Sequence, residues 1–559
     1  MTSLSLLATL LVTLAVTSSA DLEWWQTGVI YQIYPRSFMD SNGDGIGDLE
    51  GIRQKLTYLK NLGVTGIWLS PIYKSPMADF GYDIADFRNI AEEYGTMNDF
   101  DNLLNDTHAL GMKLILDFVP NHSSDEHEWF VKGTNPDDPD FAKYKQYYVW
   151  RDAKEDGSPP NNWNSVFGTG VPGDGWQWNE KVGQYYLHQF DVKQPDLNYR
   201  NPELVQEMKD VITFWLDRGV DGFRVDAIPH LFEDSEWRDN PPNSNERVTN
   251  QPETYDMVEQ WRTLVDKYPD KVMMLEAYAS TEQTMAYFGT KERPGGHFPF
   301  NFFIISNLHT DSINAAHVND LIHQWVDNVP SFGWSNWVVG NHDNSRVATR
   351  LGTNYVDTMN MLVTLLPGTA ITYDGEEIGM TDNRDITFDE GKDPQGCIAG
   401  EDHFQDKSRD FERSPFQWDD SKNAGFSTAD TTWLPVNQNY KTLNVEAQLK
   451  DPKSHLNIYK KLAEARKDPV VQNGDLTTLV VDTNVLSFAR TLESSVYVVV
   501  INLGGNDVSV DLSNKFGINS DSLDVYVSSS NSALSEGQRI QLSNIQLEKY
   551  AAVVLTNTA

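Results

Sequence analysis

The sequence predicts an α/β fold: a TIM (β/α)8 barrel with an inserted subdomain after strand 3 and a small C-terminal antiparallel β-sandwich domain. Three observations predict it. Short, nearly continuous apolar runs alternate with amphipathic helical patterns, as expected for parallel strands covered by helices. About a hundred residues rich in Trp, Gly, Pro and Asp separate the third run from the fourth. Beyond about residue 475 the chain reads as short strands separated by turn residues.

The barrel prediction depends on eight apolar runs, each short enough for one buried strand. They are residues 28–34, 64–70, 113–119, 221–228, 271–278, 298–304, 337–343 and 368–377. After the first run, "GIRQKLTYLKNLG" places Ile52, Leu56 and Leu59 on one helical face, and Gly63 gives a stop signal. This pattern predicts the first β–α unit.

These patterns divide the chain into five parts. They are a signal peptide (1–20), the first part of the barrel (21–120), the inserted subdomain (121–196), the second part of the barrel (197–474) and the C-terminal β domain (475–559). The apolar run of residues 4–16, followed by small residues, is typical of a cleaved secretory signal. It is shorter than the roughly 20 apolar residues of a membrane span, so an uncleaved anchor is the alternative.

Composition excludes several classes of partner. The formal charge of −37 would repel nucleic acid and anionic membrane surfaces. The C-terminal sequence has no hydrophobic tail of the kind that a lipid anchor requires. We therefore expect a secreted, extracellular protein that is neither anchored in a membrane nor bound to nucleic acid. The oligomeric state is not indicated.

Two glycosylation sequons and one cysteine occur in the sequence. Asn105 lies in a predicted surface helix and is expected to carry a glycan, whereas the sequon at Asn121 adjoins the expected site. Cys397 is single, so an internal disulfide is excluded.

Polar residues close several of the apolar runs. In a TIM barrel the active site lies at the carboxyl ends of the strands, so these residues are expected to meet. They are Asp117, Asn121, His122, Arg224, Asp226, Glu276, Asn341, His342 and Asp343. Any one buried carboxylate could be structural, but several at one end of a sheet are costly unless they have a function. Converging carboxylates without a Ser or Cys nucleophile motif suit glycoside chemistry.

Five ordered motifs resemble those of a known family. "DFVPNH" (117–122), "GFRVDAI" (222–228), "LEAY" (275–278) and "GNHD" (340–343) are similar to the signatures of the α-amylase superfamily of retaining glycosidases. "QPDLN" (194–198) resembles the additional signature of its α-glucosidase branch. The likeness extends from about residue 24 to the C-terminus and is strongest to the secreted insect maltases.

The resemblance implies a role for each matched residue. Asp226 would be the nucleophile, Glu276 the general acid and base, and Asp343 the carboxylate that stabilises the transition state. Arg224 would keep Asp226 ionised, since a nearby cation lowers a carboxyl pKa. His122 and His342 would bind the glucose unit. A glycan on Asn121 would then block the site, so that sequon is expected to stay unmodified.

A further match concerns exo action, the release of single units from a chain end. Asp79 and Tyr82 correspond to the residues that close the pocket in this branch, and Arg409 to the arginine that pairs with the aspartate, with Arg413 as the alternative. In this branch the residue after the nucleophile influences linkage choice, and Val goes with α-1,6 bonds. Because Ala227 is small, the resemblance implies a preference for α-1,4 linkages, with sucrose as a further substrate.

The predicted function is therefore a secreted, exo-acting, retaining α-glucosidase (a maltase) that releases α-glucose from the non-reducing ends of α-1,4-linked oligosaccharides such as maltose. Two alternatives remain open. One is a transglucosidase or sucrose isomerase that uses the same site. The other is a non-catalytic protein on the same barrel, such as an ancillary transporter subunit or a receptor.

The stretch "DSNGDGIGDLEG" (40–51) resembles an EF-hand loop, but Gly51 stands where the closing Glu is required. Family resemblance instead implies a structural Ca²⁺ site after the first strand. Its predicted ligands are the side chains of Asp40, Asn42, Asp44 and Asp48 and the carbonyl of Ile46. An Asp/Gly turn without metal is the alternative.

Overall fold

The computed structural model describes residues 22–558. The predicted signal peptide lies outside the described residues. In residues 22–558, no helix combines the length and the apolar character needed to cross a membrane.

A parallel sheet of eight strands forms the centre of the molecule and confirms the barrel prediction. The strands are β1 (Val29–Ile33), β2 (Gly66–Leu69), β3 (Lys113–Phe118), β4 (Gly222–Val225), β5 (Val272–Leu275), β6 (Phe298–Pro299), β7 (Asn336–Trp337) and β8 (Thr369–Tyr373). Their order in the sheet is β6-β5-β4-β3-β2-β1-β8-β7. Each predicted run overlaps one strand, although β7 begins one residue before its run and shares only Trp337 with it.

A side chain connects β6 and β7, which lie at the two ends of this strand order. Asn336 Nδ2 donates to the carbonyl of Pro299 (2.7 Å), and its Oδ1 accepts from the backbone N–H of Asn301 (2.9 Å). Because Asn336 is fully buried, these hydrogen bonds replace backbone pairing where the two strands are only two residues long each.

A helix follows each strand of the barrel. The helices are α1 (Leu49–Leu62), α2 (Met97–Ala109), α3 (Pro202–Arg218), α4 (Pro252–Val265), α5 (Thr281–Ala286), α6 (Ala315–Val326), α7 (Val356–Leu365) and α8 (His455–Ala465). In α1 the buried residues include Ile52, Leu56 and Leu59, as the apolar spacing indicates, and Gly63 ends the helix in the left-handed conformation (φ 96°). Between β8 and α8 lie Pro394–Ala399, Glu401–Lys407 and Val445–Lys450.

Between β3 and β4 the chain forms a separate antiparallel sheet of three strands: Trp150–Arg151, Trp176–Asn179 and Gln184–Leu187. Trp163 and Trp176 stack in its small core, with ring centroids 5.8 Å apart. Short antiparallel bridges, His122 with Asp196 and Tyr148 with Leu197, attach this insertion to the barrel. The insertion therefore stands directly beside the carboxyl end of β3.

The C-terminal domain is antiparallel. Its strands are β9 (Asp475–Val480), β10 (Val485–Leu492), β11 (Ser495–Asn502), β12 (Val508–Val510), β13 (Ser522–Ser528), β14 (Arg539–Gln541), β15 (Ile545–Leu547) and β16 (Ala552–Thr556). They form a six-stranded sheet in the order β9-β10-β11-β16-β13-β14 and a β12-β15 pair. Valine and leucine side chains of both sheets share a core of their own.

Candidate active site

A pocket of about 310 Å³ lies where the carboxyl ends of the barrel strands meet the insertion. The predicted residues that line it are Asp79, Tyr82, His122, Asp226, Glu276, His342, Asp343 and Arg409. Asp226 and Glu276 directly follow β4 and β5, and the other residues come from the segments after β2, β3, β7 and β8. The fold thus assembles at one point residues that are up to 330 positions apart.

Arg224 binds three carboxylates beside the pocket. Its Nη1 contacts Asp226 and lies 2.9 Å from Asp117 Oδ1, while its Nη2 lies 2.7 Å from Glu276 Oε1. Arg224 and Asp226 are two residues apart in an extended segment, so their side chains point to the same side. The Arg224 side chain is only 1% exposed, and burying a guanidinium is costly without such partners.

Burial and Arg224 act on the pKa of Asp226 in opposite directions. Burial raises the pKa of this carboxyl well above its ordinary value, and the contact with Arg224 opposes the rise. The loss of hydration is the larger effect, and the expected lowering by the cation is also present. The contact with Arg224 therefore favours the ionised form of Asp226 and works against the effect of burial.

Glu276 is held against the backbone that follows Asp226. Its Oε2 accepts a hydrogen bond from the N–H of Ala227 (2.7 Å), in addition to the contact between Oε1 and Arg224. Ala227 has a left-handed backbone (φ 45°), which is uncommon for a residue with a Cβ. Such strain is typical of functional sites, where surrounding contacts hold the conformation in place.

Asp343 lies between two arginines. Its Oδ1 is 3.0 Å from Arg409 Nη1 and 2.8 Å from Arg413 Nη2, and its Oδ2 is 3.3 Å from His342 Nε2. Burial raises the pKa of Asp343, but His342 and the arginines outweigh burial and hold the pKa well below its ordinary value. Asp343 is thus an ionised carboxylate at the wall of the pocket.

Arg409 also closes one end of the pocket. Its Nη2 pairs with Asp79 Oδ1 (3.0 Å), and its Nε lies 3.0 Å from Asp393 Oδ1. Arg409, not Arg413, is the residue that pairs with Asp79; Arg413 contacts Asp343 and the carbonyl of His342. Burial raises the pKa of Asp79 to about 7, with the arginines opposing the rise.

A chain of hydrogen bonds fixes His342 and Tyr82. Gln32 Nε2 donates to His342 Nδ1 (2.8 Å), so His342 carries its proton on Nε2 and donates it to the Tyr82 hydroxyl (2.7 Å). Tyr82 in turn donates to Asp117 Oδ2 (3.1 Å). The rings of Tyr82 and His342 are stacked 5.3 Å apart, giving one rigid wall.

Three residues of the site were missed from the sequence. Gln194, within "QPDLN", lies 3.1 Å from both Asp79 Oδ2 and His122 Nε2. Asp393 anchors Arg409. Tyr278 ends the "LEAY" run, is 45% exposed at the pocket, and stacks on Phe302 with ring centroids 4.2 Å apart. Its position as the last residue of the fifth apolar run was the available signal.

The predicted calcium loop is folded by hydrogen bonds within the chain. Asp40 accepts from the N–H groups of Asn42, Gly43 and Gly45 at 2.6–3.0 Å. Asp48 caps α1 by accepting from the N–H of Gly51 (2.7 Å). Oxygen donors suit calcium, but residues 22–558 contain no group of three or more His, Cys, Asp or Glu side chains that could hold a metal ion. Calcium binding by Asp40, Asn42, Asp44, Ile46 and Asp48 therefore stays a prediction.

The two sequons differ in exposure. Asn105 is exposed on α2, although the hydroxyl of Thr107 is buried and donates to the carbonyl of Leu103. Asn121 is 2% exposed, and its Nδ2 lies 3.3 Å from Asp196 Oδ1. Glycosylation at Asn105 stays a prediction.

Comparison with known proteins places these motifs in a family. The model of the α-amylase catalytic domain matches residues 32–474. Maltase A1 of Drosophila melanogaster is 46% identical, covering 95% of this chain and 96% of its own. The salivary α-glucosidase of Aedes aegypti is 45% identical, covering 96% of each chain.

Among solved structures, a variant of isomaltulose synthase from Erwinia rhapontici NX5, in complex with its natural substrate sucrose, superposes with a TM-score of 0.86. It is 32% identical, and the match covers 96% of this chain and all of that one. The family resemblance that the motifs indicated is thereby confirmed. The chain belongs to the α-amylase family of glycoside hydrolases.

Proposed function

We propose that this protein is an exo-acting, retaining α-glucosidase that releases α-glucose from the non-reducing ends of α-1,4-linked oligosaccharides such as maltose. The observation that carries the proposal is the position of Arg409. It pairs with Asp79 at the end of the pocket and with Asp343 beside Asp226 and Glu276.

Retention of configuration is supported by the contacts of Arg224. Retaining enzymes keep their two carboxylates about 5–5.5 Å apart, whereas inverting enzymes need roughly 6.5–9.5 Å to admit a water. Asp226 and Glu276 bind the two terminal nitrogens of one guanidinium, which favours the shorter separation. Asp226 would attack the anomeric carbon while Glu276 protonates the leaving oxygen. Glu276, then a carboxylate, would take a proton from the water that releases glucose.

Exo action is supported by the closed end of the pocket. Asp79 is buried there, only 12% of the Arg409 side chain is exposed, and Gln194 supports Asp79. Charged and amide groups in this position can hydrogen-bond the outer hydroxyls of a terminal glucose. A longer chain could not pass beyond them, so cleavage would release one unit at a time.

Substrate choice rests on Ala227 and on the relatives. The small side chain of Ala227 lines the pocket after the nucleophile, which favours α-1,4 linkages. Maltase A1 gives the same indication by its name. Sucrose is a further substrate, and a sucrose isomerase or transglucosidase is the second candidate because of the likeness to isomaltulose synthase.

We also propose that the protein is secreted. Its first 20 residues have the pattern of a cleaved signal peptide, and a salivary α-glucosidase is among its relatives. A glycan on the exposed Asn105 and a structural calcium ion in the 40–51 loop complete the proposal.

The function is tested with maltose and an aryl α-glucoside. We expect Asp226→Asn to lower kcat by at least about 10³-fold, because the covalent intermediate cannot form. The matched control is Asp389→Asn, the same change at an exposed carboxylate. Wild-type protein that releases no glucose, or a variant that remains active, would refute the proposal. Chromatography of the products from sucrose separates hydrolysis from isomerisation.

A further inference from the structure

A second cavity opens beside the catalytic pocket. Its volume is about 660 Å³, and it lies between the insertion and the segment that precedes α4. Val166 and His230 line both cavities. Val166 is 51% exposed, so this shared boundary lies at the open side of the pocket. We call the second cavity the amide groove.

The lining of the amide groove is polar but uncharged. Apart from Val166, His230 and other small or apolar residues, it is made of asparagine, glutamine and serine side chains, and it contains no Asp, Glu, Lys or Arg. Charged residues make up 22% of the chain, and another cavity of similar size is lined by Arg200, Lys209 and Glu253. Neutral amides and hydroxyls can donate to and accept from sugar hydroxyls without desolvating a charge.

Hydrogen bonds join the two walls of the amide groove, one formed by the insertion and the other by the segment that precedes α4. Asn162 Nδ2 donates to the carbonyl of Asn240 (2.9 Å), and Asn162 Oδ1 accepts from the N–H of Asn240 (2.7 Å). Trp163 Nε1 donates to the carbonyl of Arg238 (2.9 Å). A groove that is formed before its ligand arrives loses less conformational entropy on binding.

His230 presents a hydrogen-bond acceptor at the shared boundary. Gln189 Nε2 donates to Asp196 and to the carbonyl of His230, which leaves Gln189 Oε1 facing His230 Nδ1 at 2.9 Å. Nδ1 must then carry the proton. Burial lowers the pKa of His230 to about 4, so the ring is neutral and its Nε2 can accept.

Amide groups of the groove are available for a ligand. Asn243 and Asn245 are exposed, and within residues 22–558 their side chains make no hydrogen bond to protein. Asn164 uses its oxygen to accept from the N–H of Gly173 (3.0 Å), which leaves its NH₂ group without a protein acceptor among the described residues. These groups belong to both walls.

The proposed function fixes the direction of a bound chain. If Asp79 and Arg409 hold the terminal glucose, the bond that is cleaved lies beside Asp226 and Glu276. The rest of the chain must then leave through the open side, which includes Val166 and Tyr278, and the amide groove begins there at Val166 and His230. We propose that the amide groove binds the third and later glucose units of a maltooligosaccharide. This inference rests on the proposed exo-glucosidase function.

The test compares maltose with maltotetraose. Wild-type enzyme is expected to show a KM for maltotetraose about fivefold to tenfold below that for maltose, since each neutral hydrogen bond contributes roughly a factor of 2 to 12 in affinity. The double variant Asn243→Gly with Asn245→Ala should abolish most of this difference while changing the maltose KM much less. Glycine suits position 243, where φ is 58°.

Two further variants sharpen the test. Ser244→Trp would place a large ring in the groove and should raise the KM for maltotetraose alone. Asn519→Ala, the same type of change at an exposed asparagine of the C-terminal domain, is the control and should alter neither value. Equal KM values for the two sugars in the wild type would overturn the proposal that the amide groove binds the longer chain. An equal rise in both KM values in the double variant would also overturn it.

Failure of the proposed function gives a different result. In that case maltose itself is not hydrolysed by the wild type. Calorimetric measurement of maltotetraose and maltose binding to Asp226→Asn then tests sugar binding in the amide groove independently of hydrolysis. Tighter binding of maltotetraose that the double variant removes would support the amide groove, whereas equal binding or no binding would refute it.

Discussion

At the scale of single residues, the site depends on arginines that each form ion pairs with several carboxylates. Arg224 contacts Asp117, Asp226 and Glu276, and Arg409 contacts Asp79, Asp343 and Asp393. A planar guanidinium has five donors in a fixed geometry, so it can bind several oxygens at once. This requirement explains why these positions hold arginine.

Arg409→Lys tests that requirement. Lysine keeps the charge but concentrates it on one atom, so it cannot bind Asp79, Asp343 and Asp393 together. We expect kcat/KM for maltose to fall on the order of 10²-fold, with an increase in KM and a decrease in kcat. Arg293→Lys is the matched control, because Arg293 also contacts two carboxylates but is 63% exposed. A loss of less than threefold in Arg409→Lys would contradict the prediction.

The motifs located most residues of the site but not their surroundings. Asp226, Glu276 and Asp343 close apolar runs, so the strand-end rule finds them. Asp393 lies in a long segment after β8 without a periodic pattern, and its contact with Arg409 is decided by tertiary packing. Arg224 acts on the pKa of Asp226 in the expected direction, but the larger rise caused by burial depends on the whole site and could not be predicted.

At the scale of elements, the predicted runs match the longer strands better than the shorter ones. Runs one to five contain strands of four to six residues. Strands β6 and β7 have only two residues each, too few to define a period, and β7 begins before its predicted run. Asn336 completes the sheet through its side chain, which no strand pattern can indicate.

The 40–51 loop carries a prediction at this scale. If it binds calcium only when folded, chelation should lower the melting temperature, because a ligand at 100 times its Kd stabilises the fold by about 2.7 kcal/mol. The measurement is thermal unfolding with EDTA and with added Ca²⁺. Asp44→Ala removes one exposed predicted ligand and should be insensitive to EDTA. Identical melting temperatures of the wild type in both conditions would contradict calcium binding and would support the alternative, an Asp/Gly turn without metal.

At the scale of the whole molecule, buried acids should make stability depend on pH. Burial raises the pKa of Glu376 and Glu233 to about 8 and that of Glu377 and Asp196 to about 7. In the unfolded chain the same groups titrate near their ordinary values. Between pH 5 and 8 the folded state therefore binds more protons than the unfolded state, and stability falls as pH rises.

We expect the melting temperature to fall by on the order of 5 °C from pH 5 to pH 8. Scanning calorimetry across this range gives the measurement. Glu376→Gln replaces one of these acids by a neutral group of similar shape and should reduce the slope. A melting temperature that rises from pH 5 to pH 8 would contradict the prediction.

The architecture of the whole chain was predictable because its signals are redundant. Eight apolar runs, one long interruption and a strand-rich end all agree with one fold, and consistency across levels is what specifies a structure. The amide groove was not predictable, because its walls come from separate segments that Asn162 and Asn240 join.

The double role of Arg409 limits how this enzyme could evolve. Its guanidinium closes the pocket through Asp79 and also neutralises Asp343. If the protein is the proposed exo-glucosidase, a replacement of Arg409 that opened the pocket for cleavage within a chain would also remove one of the two arginines beside Asp343. Under the proposed function, the release of single units and the catalytic rate would then change together, with Arg413, 2.8 Å from Asp343, left as the remaining cation beside that carboxylate.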